Sequence, residues 1–243
     1  MNLAGPSALL LLTAWAAQAD DADKLRALGG GVFTKGGAVA EISLNRSRVT
    51  DDQLKLVASF ANLTDLSLEQ TKIGDAGLEH LTGLAKLEWL NLYSTQVGDV
   101  GLAHLAKLPR LQHLPIGETL VTDAGMAHIA KLKRLVYLGL RGNKIGDAAM
   151  VHLAKLPKLT GLHLGETRLT DKGTWQFAAL GQLQKLWLHD TRLTDASVPR
   201  LAQLKQLKSL YLHRTRLTVE GVRRLQKALP KCRIFYRSAT VPE

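Results

Sequence analysis

The amino-acid sequence predicts an α/β solenoid of eight strand–helix repeats, each of 24 residues, with a parallel sheet on the concave face. Three observations lead to this prediction. Similar segments recur at a constant spacing, their apolar positions recur with them, and each segment joins a strand-like pattern to a helix-like one. Apolar residues make up 46% of the 243-residue chain but aromatic residues only 5%, a bias that directs attention to internal repeats.

The repeats begin at eight apolar residues that lie 24 positions apart: Val39, Leu63, Leu87, Leu111, Leu135, Leu159, Leu183 and Leu207. Position numbers count from the first residue of a repeat. Positions 1, 4, 6, 11, 16, 19 and 22 are apolar at 55 of these 56 sites, and Thr174 is the exception. Chance would fill about 26 of the sites, so the repeat assignment is secure.

Each repeat is predicted to contain one strand and one helix. Apolar residues at positions 4 and 6, such as Leu90 and Leu92, alternate as in a short strand. Positions 16, 19 and 22, as in Leu102, Leu105 and Leu108, have the spacing of one helix face. One such unit cannot bury its apolar faces alone, so neighbouring repeats must stack, with the strands inside and the helices outside.

Two polar positions recur with the apolar ones. Position 9 is Thr in six repeats, where a hydroxyl can satisfy backbone groups as the chain leaves the strand. Position 13 is Asp in seven repeats, just before the helix, which predicts structural N-caps worth about 1 kcal/mol each. These residues are Asp51, Asp75, Asp99, Asp123, Asp147, Asp171 and Asp195.

The repeat reads Leu-x-x-Leu-x-Leu-x-x-Thr-x-Leu-Thr-Asp-Ala-Gly-Leu, and the segment from Val121 to Met126 is the nearest match to its second half. This pattern resembles the leucine-rich-repeat family. More closely, it is similar to exported bacterial members whose repeats carry a Thr-Asp-Ala-Gly-Leu turn. The resemblance covers residues 39 to about 236 and implies the fold. It does not imply a ligand, because members of the family bind very different things.

The N-terminus is predicted to be a signal peptide over residues 1–19. The apolar run from Ala8 to Ala17 is too short to span a bilayer. It is followed by the small-x-small triplet Ala17-Gln18-Ala19 and an acidic segment, although no Lys or Arg precedes the run. We therefore predict export to the periplasm, the cell envelope or the medium, and no membrane span. The alternative is an ordinary buried N-terminal helix.

The repeats are predicted to lie between two caps. Residues 20–38 form the N-terminal cap, with a short helix near residues 23–28 and a hairpin that turns at Gly36-Gly37. Residues 39–231 hold the eight repeats, and residues 232–243 form a C-terminal cap strand and tail. Cys232 is the only cysteine, so an intramolecular disulfide is excluded. We expect a monomer.

Side chains at positions 3, 5 and 7 are predicted to face away from the core, on the concave surface. Two of the three Trp and three of the four Tyr outside the signal segment fall at these positions, which favours a binding surface. The alternative is that the rings only pack on each other across the strands. The predicted ligand-binding residues are Trp89, Tyr93, His113, Tyr137, Arg141, His163, Trp187, His189, Tyr211 and His213.

Five residues without bulk lie between these aromatic groups and predict a bare groove about 10–15 Å wide. Such a groove suits an extended partner, which would be a protein, a peptide or a glycan. The residues are Pro115, Gly117, Gly139, Gly161 and Gly165.

Basic residues concentrate at the C-terminal end. Residues 1–182 hold 19 basic and 17 acidic side chains, whereas residues 183–243 hold 13 and 4. This end is predicted to bind an anionic surface, with a merely solubilising cap as the alternative. The predicted anion-binding residues are Arg216, Arg223, Arg224, Lys227, Lys231 and Arg233.

No nucleophile–base pair, paired carboxylates, phosphate loop or metal motif is found in the sequence. His163, His189 and His213 come from adjacent repeats near Asp190, but no ligand spacing of a known type supports a zinc or copper site. We therefore predict a non-enzymatic recognition module without cofactor or metal. The rival hypotheses are an intracellular adaptor that binds an acidic protein or nucleic acid through the basic end, and an enzyme that uses the concave histidines.

Overall fold

The computed structural model describes residues 6–237, with side chains from residue 16 onward. It confirms the predicted α/β solenoid: within these residues, ten strands form one open sheet in chain order, and helices connect them on its other side. The strands are β1 (Gly31–Lys35), β2 (Ala38–Ser43), β3 (Asp65–Ser67), β4 (Trp89–Asn91), β5 (His113–Pro115), β6 (Tyr137–Gly139), β7 (Gly161–His163), β8 (Lys185–Trp187), β9 (Ser209–Tyr211) and β10 (Arg233–Phe235).

The strands from β2 to β10 are parallel, and equivalent residues of successive repeats pair directly, as Leu138 does with Leu162. Among the described strands, only β1 runs antiparallel, in the predicted hairpin with β2. Gly36 and Gly37 form its turn at φ values of 61° and 81°, a region in which a Cβ would be strained. The 24-residue period of the sequence is therefore also the register of the sheet.

The helices on the other side of the sheet are short. The α-helices are α1 (Pro6–Ala27), α2 (Asp75–Glu79), α3 (Asp99–Leu105), α4 (Met126–Ile129), α5 (Met150–Leu153), α6 (Val198–Leu201) and α7 (Val219–Ala228). Segments of 3-10 helix precede or replace them at Asp52–Ser59, Asp123–Gly125, Asp147–Ala149, Gly173–Leu180 and Asp195–Ser197.

The apolar repeat positions form one continuous core that runs from Ala22 to Cys232. Thr174, the one polar residue in this pattern, is buried, and its hydroxyl donates a hydrogen bond to the Asp171 carbonyl at 2.6 Å. Because this hydrogen bond is made inside its own turn, the Thr174 hydroxyl is satisfied although it lies in the core.

The N-terminal helix is longer than the short helix predicted near residues 23–28. It begins at Pro6 and passes through the predicted cleavage point between Ala19 and Asp20 without a break. Its C-terminal half is part of the core, because Ala22 and Leu25 are buried. Gln18 donates a hydrogen bond to the Ser59 carbonyl at 2.7 Å. The first five residues of the predicted signal peptide lie outside the described residues. None of the described helices is long and apolar enough to cross a membrane.

The predicted N-cap role of the position-13 aspartates is wrong. In most repeats the N-cap is the residue before, such as Gly98 or Thr122, and Asp51, which does precede its helix, makes no side-chain capping bond. The carboxylate instead reaches the next repeat, as when Asp147 accepts bonds from the Thr170 amide at 2.8 Å and the Thr170 hydroxyl at 2.6 Å. A bond to the backbone amide at position 12 of the following repeat is made by all seven aspartates, which therefore connect repeats.

The loop after each strand has a fixed geometry. The position-9 threonines donate to the carbonyl at position 6, as predicted; Thr95, for example, bonds to Leu92 at 2.7 Å. Position 8 has a positive φ in all eight repeats, at 52–58° for the seven residues that are not glycine and at 72° for Gly142. This left-handed residue turns the chain sharply out of the strand.

Candidate functional site

The aromatic residues of the concave face form a continuous row across the C-terminal half of the sheet. Tyr137 meets Trp187 edge to face, with ring centroids 6.2 Å apart. Trp187 and Tyr211 are stacked at 5.3 Å, and Tyr211 and Phe235 at 4.4 Å. We call these four residues the aromatic track. All four are half-buried, so the rings pack on each other across the strands and also keep part of their surface open to solvent.

The bare glycine groove predicted between the aromatic groups is not present, because neighbouring rings fill it. A Cβ on Gly161 would lie 2.9 Å from the Tyr137 ring, and one on Gly165 would overlap the His189 ring. The Tyr93 ring occupies the same kind of space beside Gly117. The glycines therefore allow large side chains of adjacent strands to lie flat over the sheet.

Phe235 belongs to the track but is not among the predicted site residues. It lies 24 residues after Tyr211 and pairs with it in the parallel register of β9 and β10. The signal is present in the sequence, since the 24-residue spacing continues into the C-terminal cap strand. The Arg233 guanidinium covers this end of the track, 4.7 Å from the centre of the Phe235 ring.

A second row, of charged and polar residues, lies beside the aromatic track at positions 7 and 8. Arg141 bonds to Glu166 at 2.7 Å, and Arg214 bonds to Asp190 at 2.5 Å and 2.6 Å. His189 joins the two pairs, because its Nδ1 atom is 2.8 Å from Asp190 and 4.0 Å from Glu166. We call these five residues the polar track. The hydrogen bond from Arg214 is the main cause that lowers the pKa of Asp190, so this carboxylate is charged at neutral pH.

His163 connects the two tracks. Its ring centre is 5.3 Å from that of Trp187, and its Nε2 atom is 3.0 Å from the Nε2 atom of His189. Burial, and then the neighbouring His189 and Arg141, lowers the pKa of His163 to about 4. His163 is therefore neutral at pH 7, and one of the two histidines donates to the other.

The structure thus brings six of the ten predicted ligand-binding residues together: Tyr137, Arg141, His163, Trp187, His189 and Tyr211. Trp89 and His113 lie on β4 and β5, further towards the N-terminus, and pair with each other in register. Tyr93 donates a short hydrogen bond to Glu118, and burial together with this bond raises the pKa of Tyr93 to about 12. His213 lies in the loop after β9, where its backbone carbonyl accepts from the Asp190 amide.

The polar track also contains the residues nearest to a metal-ligand set. Glu166, His189 and Asp190 each offer a ligand atom, and these atoms lie within 4.8 Å of one another. Both carboxylates already pair with arginines, and Arg141 and Arg214 would repel a cation at this point. The arrangement therefore fits hydrogen bonding and charge recognition better than it fits metal coordination.

The predicted anion-binding residues at the C-terminal end do not form one site. Arg224 pairs with Asp195 at 3.3 Å, Arg223 with Glu220 at 3.6 Å, and Arg233 lies over Phe235. Lys227 and Lys231 are exposed on the end of the solenoid. Arg216 lies apart from them, in the loop row at position 10.

A parallel sheet in 24-residue register, with one short helix or turn per strand, defines a leucine-rich-repeat solenoid. Comparison with known proteins agrees with this class. The family model described as "Leucine Rich repeat" matches residues 61–81. No curated protein matches the sequence.

Three of the solved structures that share the fold illustrate the likeness. Internalin C2 from Listeria monocytogenes is 25% identical, with a TM-score of 0.67 over 82% of this chain and 81% of that one. An internalin, inlF, from the same organism is 23% identical, with a TM-score of 0.60 over 83% and 61%. The ectodomain of the Arabidopsis receptor kinase HAESA, solved with a peptide hormone ligand, is 19% identical, with a TM-score of 0.64 over 86% and 36%.

The chain therefore spans about three fifths of inlF and about a third of the receptor ectodomain. The match to the family model over residues 61–81, the 24-residue repeats and the likeness to the internalins agree that the chain is built of leucine-rich repeats.

Proposed function

We propose that this chain is an exported, non-catalytic recognition module that binds a protein or peptide on its concave face. The observation that carries the proposal is the aromatic track, whose rings come from repeats 5, 7 and 8 and the cap strand and lie beside the polar track. Aromatic residues dominate binding energy at protein interfaces, because they offer large contact areas at a low cost in conformational entropy. The receptor ectodomain that shares this fold was solved with a peptide bound.

The two tracks favour a polypeptide over a glycan. Sugars bind aromatic side chains through the ring faces, but here both faces of Tyr211 are covered by Trp187 and Phe235. Arg233 lies over the Phe235 ring, and His163 lies beside the Trp187 ring. What the three stacked rings present is a band of ring edges, which suits apolar side chains of a partner. The polar track beside it offers both signs of charge at fixed positions, and these would select the register of an extended segment.

The test uses a library of displayed random peptides, selected against the full chain, with an immobilised glycan array as a parallel arm. Trp187→Ala and Tyr211→Ala should each weaken the selected peptides at least tenfold. Trp175→Ala is the matched control, because this exposed tryptophan lies on the helix side under Arg200. Selected peptides that bind all three variants equally, or that bind only Trp175→Ala more weakly, would place the binding surface elsewhere. Ligands found only on the glycan array would exclude a polypeptide partner.

The stacked rings also contribute to stability, so binding must be separated from folding. An aromatic pair is worth about 0.5–1.5 kcal/mol beyond its buried area. Thermal melts of each variant should therefore show only a modest decrease in melting temperature, and binding is compared well below that temperature.

The basic end is the weaker candidate for a partner site, because three of its six predicted residues have local partners.

A further inference from the structure

The strongest feature outside the two tracks is a row of cations in the loops that follow the strands. Position 10 is Lys144 in repeat 5, Arg168 in repeat 6, Arg192 in repeat 7 and Arg216 in repeat 8, and all four side chains are exposed. We call these residues the cationic row. Gln96 and Leu120 interrupt this position in repeats 3 and 4 and separate the cationic row from Arg48 and Lys72, which occupy it in repeats 1 and 2, so four successive cations occur only in the C-terminal half of the solenoid.

Backbone hydrogen bonds hold the row at the spacing of a sheet. The amides of Arg168, Arg192 and Arg216 donate to the carbonyl at position 11 of the preceding repeat, at 2.7 Å, 3.1 Å and 2.8 Å. Lys144 is tied to Thr122 by a parallel bridge. Because these bonds continue the pairing of the strands, neighbouring cations are attached to the backbone about 4.8 Å apart. The row is therefore evenly spaced.

The charge of the row is not neutralised by the protein. Between residues 16 and 237, no carboxylate lies within ion-pair distance of any of the four side chains, whereas Arg141 and Arg214 next to them are paired. A groove of 640 Å³ runs along the row, and its lining includes five basic residues and two acidic ones. The groove therefore has an excess of positive charge.

Stability does not account for this arrangement. Like charges on neighbouring strands repel each other. The fold would be more stable if carboxylates alternated with these cations, as they do in the polar track. A solubilising surface needs charge but not four cations at one repeat position in succession. A chain of anions along the groove would relieve the repulsion and would add charge-assisted hydrogen bonds from three guanidinium groups.

We propose that the cationic row binds an acidic polysaccharide, extended along the groove with its sulfate or carboxylate groups facing the four side chains. An acidic polysaccharide carries anions along the whole length of a stiff chain, so several of them can pair with the row at once. An extended peptide places side chains of one face about 6.6 Å apart and falls out of register with the row. None of the described residues that line the groove is aromatic, so it lacks the stacking surface that single-stranded nucleic acids use.

The test measures binding of a fluorescently labelled heparin octasaccharide to the full chain by anisotropy at about 0.1 M salt, where screening is moderate. The variant Arg168→Gln/Arg192→Gln should bind at least tenfold more weakly. The matched control is Arg48→Gln/Lys72→Gln, which removes two exposed cations from the same position in repeats 1 and 2. The control should change binding less than twofold. Equal losses in the two variants would show that only net charge matters and would overturn the proposal.

Two further comparisons test where on the solenoid the octasaccharide binds and which class of anion is preferred. The variant Lys227→Gln/Lys231→Gln, at the end of the solenoid, should bind almost as well as the unaltered chain; a tenfold loss there with none in the row would overturn the proposal. A single-stranded DNA oligonucleotide, an oligoglutamate peptide or anionic phosphatidylglycerol vesicles that bound as tightly as the octasaccharide would also overturn it. Trp187→Ala should leave octasaccharide binding unchanged, so this test is independent of the concave-face proposal.

Discussion

At the scale of single residues, the concave face depends on pairs of large and small side chains from adjacent strands. Tyr137 lies over Gly161, and His189 lies over Gly165, in spaces that a Cβ would fill. An alanine at Gly161 would displace the Tyr137 ring and with it the contact to Trp187. The glycines therefore leave room for the rings of the concave face, although they offer no side chain to a partner.

His163 makes the stability of the protein depend on pH. Its pKa of about 4 in the folded chain is below the ordinary value of 6.5, so its contribution is complete above pH 6.5 and is lost as the pH falls towards 4. At 1.36 kcal/mol per unit, the free energy of unfolding should fall by about 3 kcal/mol between pH 7 and pH 4 through this group. The measurement is urea denaturation at several pH values.

The comparison variant for this prediction is His163→Gln, which should lose that much less stability over the same pH range. Leu138→Ala serves as the control, because Leu138 is fully buried and its truncation costs about 2–5 kcal/mol without changing a titratable group. It should be less stable at every pH and keep the pH dependence of the unaltered chain. If His163→Gln keeps the full dependence as well, the neutral state of His163 is not its cause.

At the scale of elements, an aspartate near the helix start links each of the first seven repeats to the next. In this link, the carboxylate of Asp147 satisfies both the backbone amide and the hydroxyl of Thr170. The aspartate thus makes a bond to the next repeat instead of a capping bond within its own helix. It therefore stabilises the stacking of repeats and not the individual helix.

Asp147→Ala should lower the free energy of unfolding by about 1–3 kcal/mol, because the Thr170 amide loses its acceptor. Asp52→Ala, which removes an exposed carboxylate with no hydrogen bond among the described contacts, should cost far less. A double-mutant cycle with Thr170→Val distinguishes the two roles of Asp147. The inter-repeat link predicts a coupling energy of at least about 0.5 kcal/mol between the residues, whereas an N-cap role predicts additive losses.

The comparison of Asp147 with Leu138 shows what the sequence can predict. The buried face of every strand follows from the alternation at positions 4 and 6, since burial depends on a residue's own place in the repeat. The partner of Asp147 cannot be found in this way. A helix cap and a link to the next repeat both require an aspartate at position 13, so the sequence pattern does not distinguish the two roles. The cationic row is only partly visible for a related reason: the charge excess after residue 183 points to Arg192 and Arg216 but not to the two cations before them.

The candidate site shows the same division. The positions of Trp187 and Tyr211 on the concave face follow from the repeat, whereas their mutual stacking depends on side-chain rotamers that the sequence does not specify. The glycines predict open space because the sequence shows that they lack side chains. It does not show that a ring from the neighbouring strand fills the space above each glycine. Phe235 is absent from the predicted site because the predicted repeats end at residue 231.

At the scale of the whole molecule, the predicted cleavage point divides the N-terminal helix into two parts. Its second part is fixed to the solenoid by Ala22 and Leu25, while the predicted cleavage point lies about one turn earlier. Removal of residues 1–19 would take away the Gln18 bond to Ser59 and leave the buried residues in place. Cleavage is therefore compatible with the folded cap.

Intact-mass measurement of the protein secreted by its host should show Asp20 as the first residue. Ala19→Leu is the control, because the small residue before the cleavage point is required for processing. This variant should retain its N-terminal segment. Detection of the unaltered chain with Met1 in the cytoplasm would contradict export.

The bonds that join consecutive repeats also determine how the chain would respond to tension. Each repeat is bound to its neighbours by the same backbone pairs and the same aspartate link, and stacking of this kind joins a repeat only to the repeats beside it. When the two ends are pulled apart, a terminal repeat can therefore detach without loosening those further in. Each detachment would release 24 residues, or roughly 80 Å of extended chain. The protein is thus expected to lengthen in nearly equal steps, as a tether that absorbs load one repeat at a time.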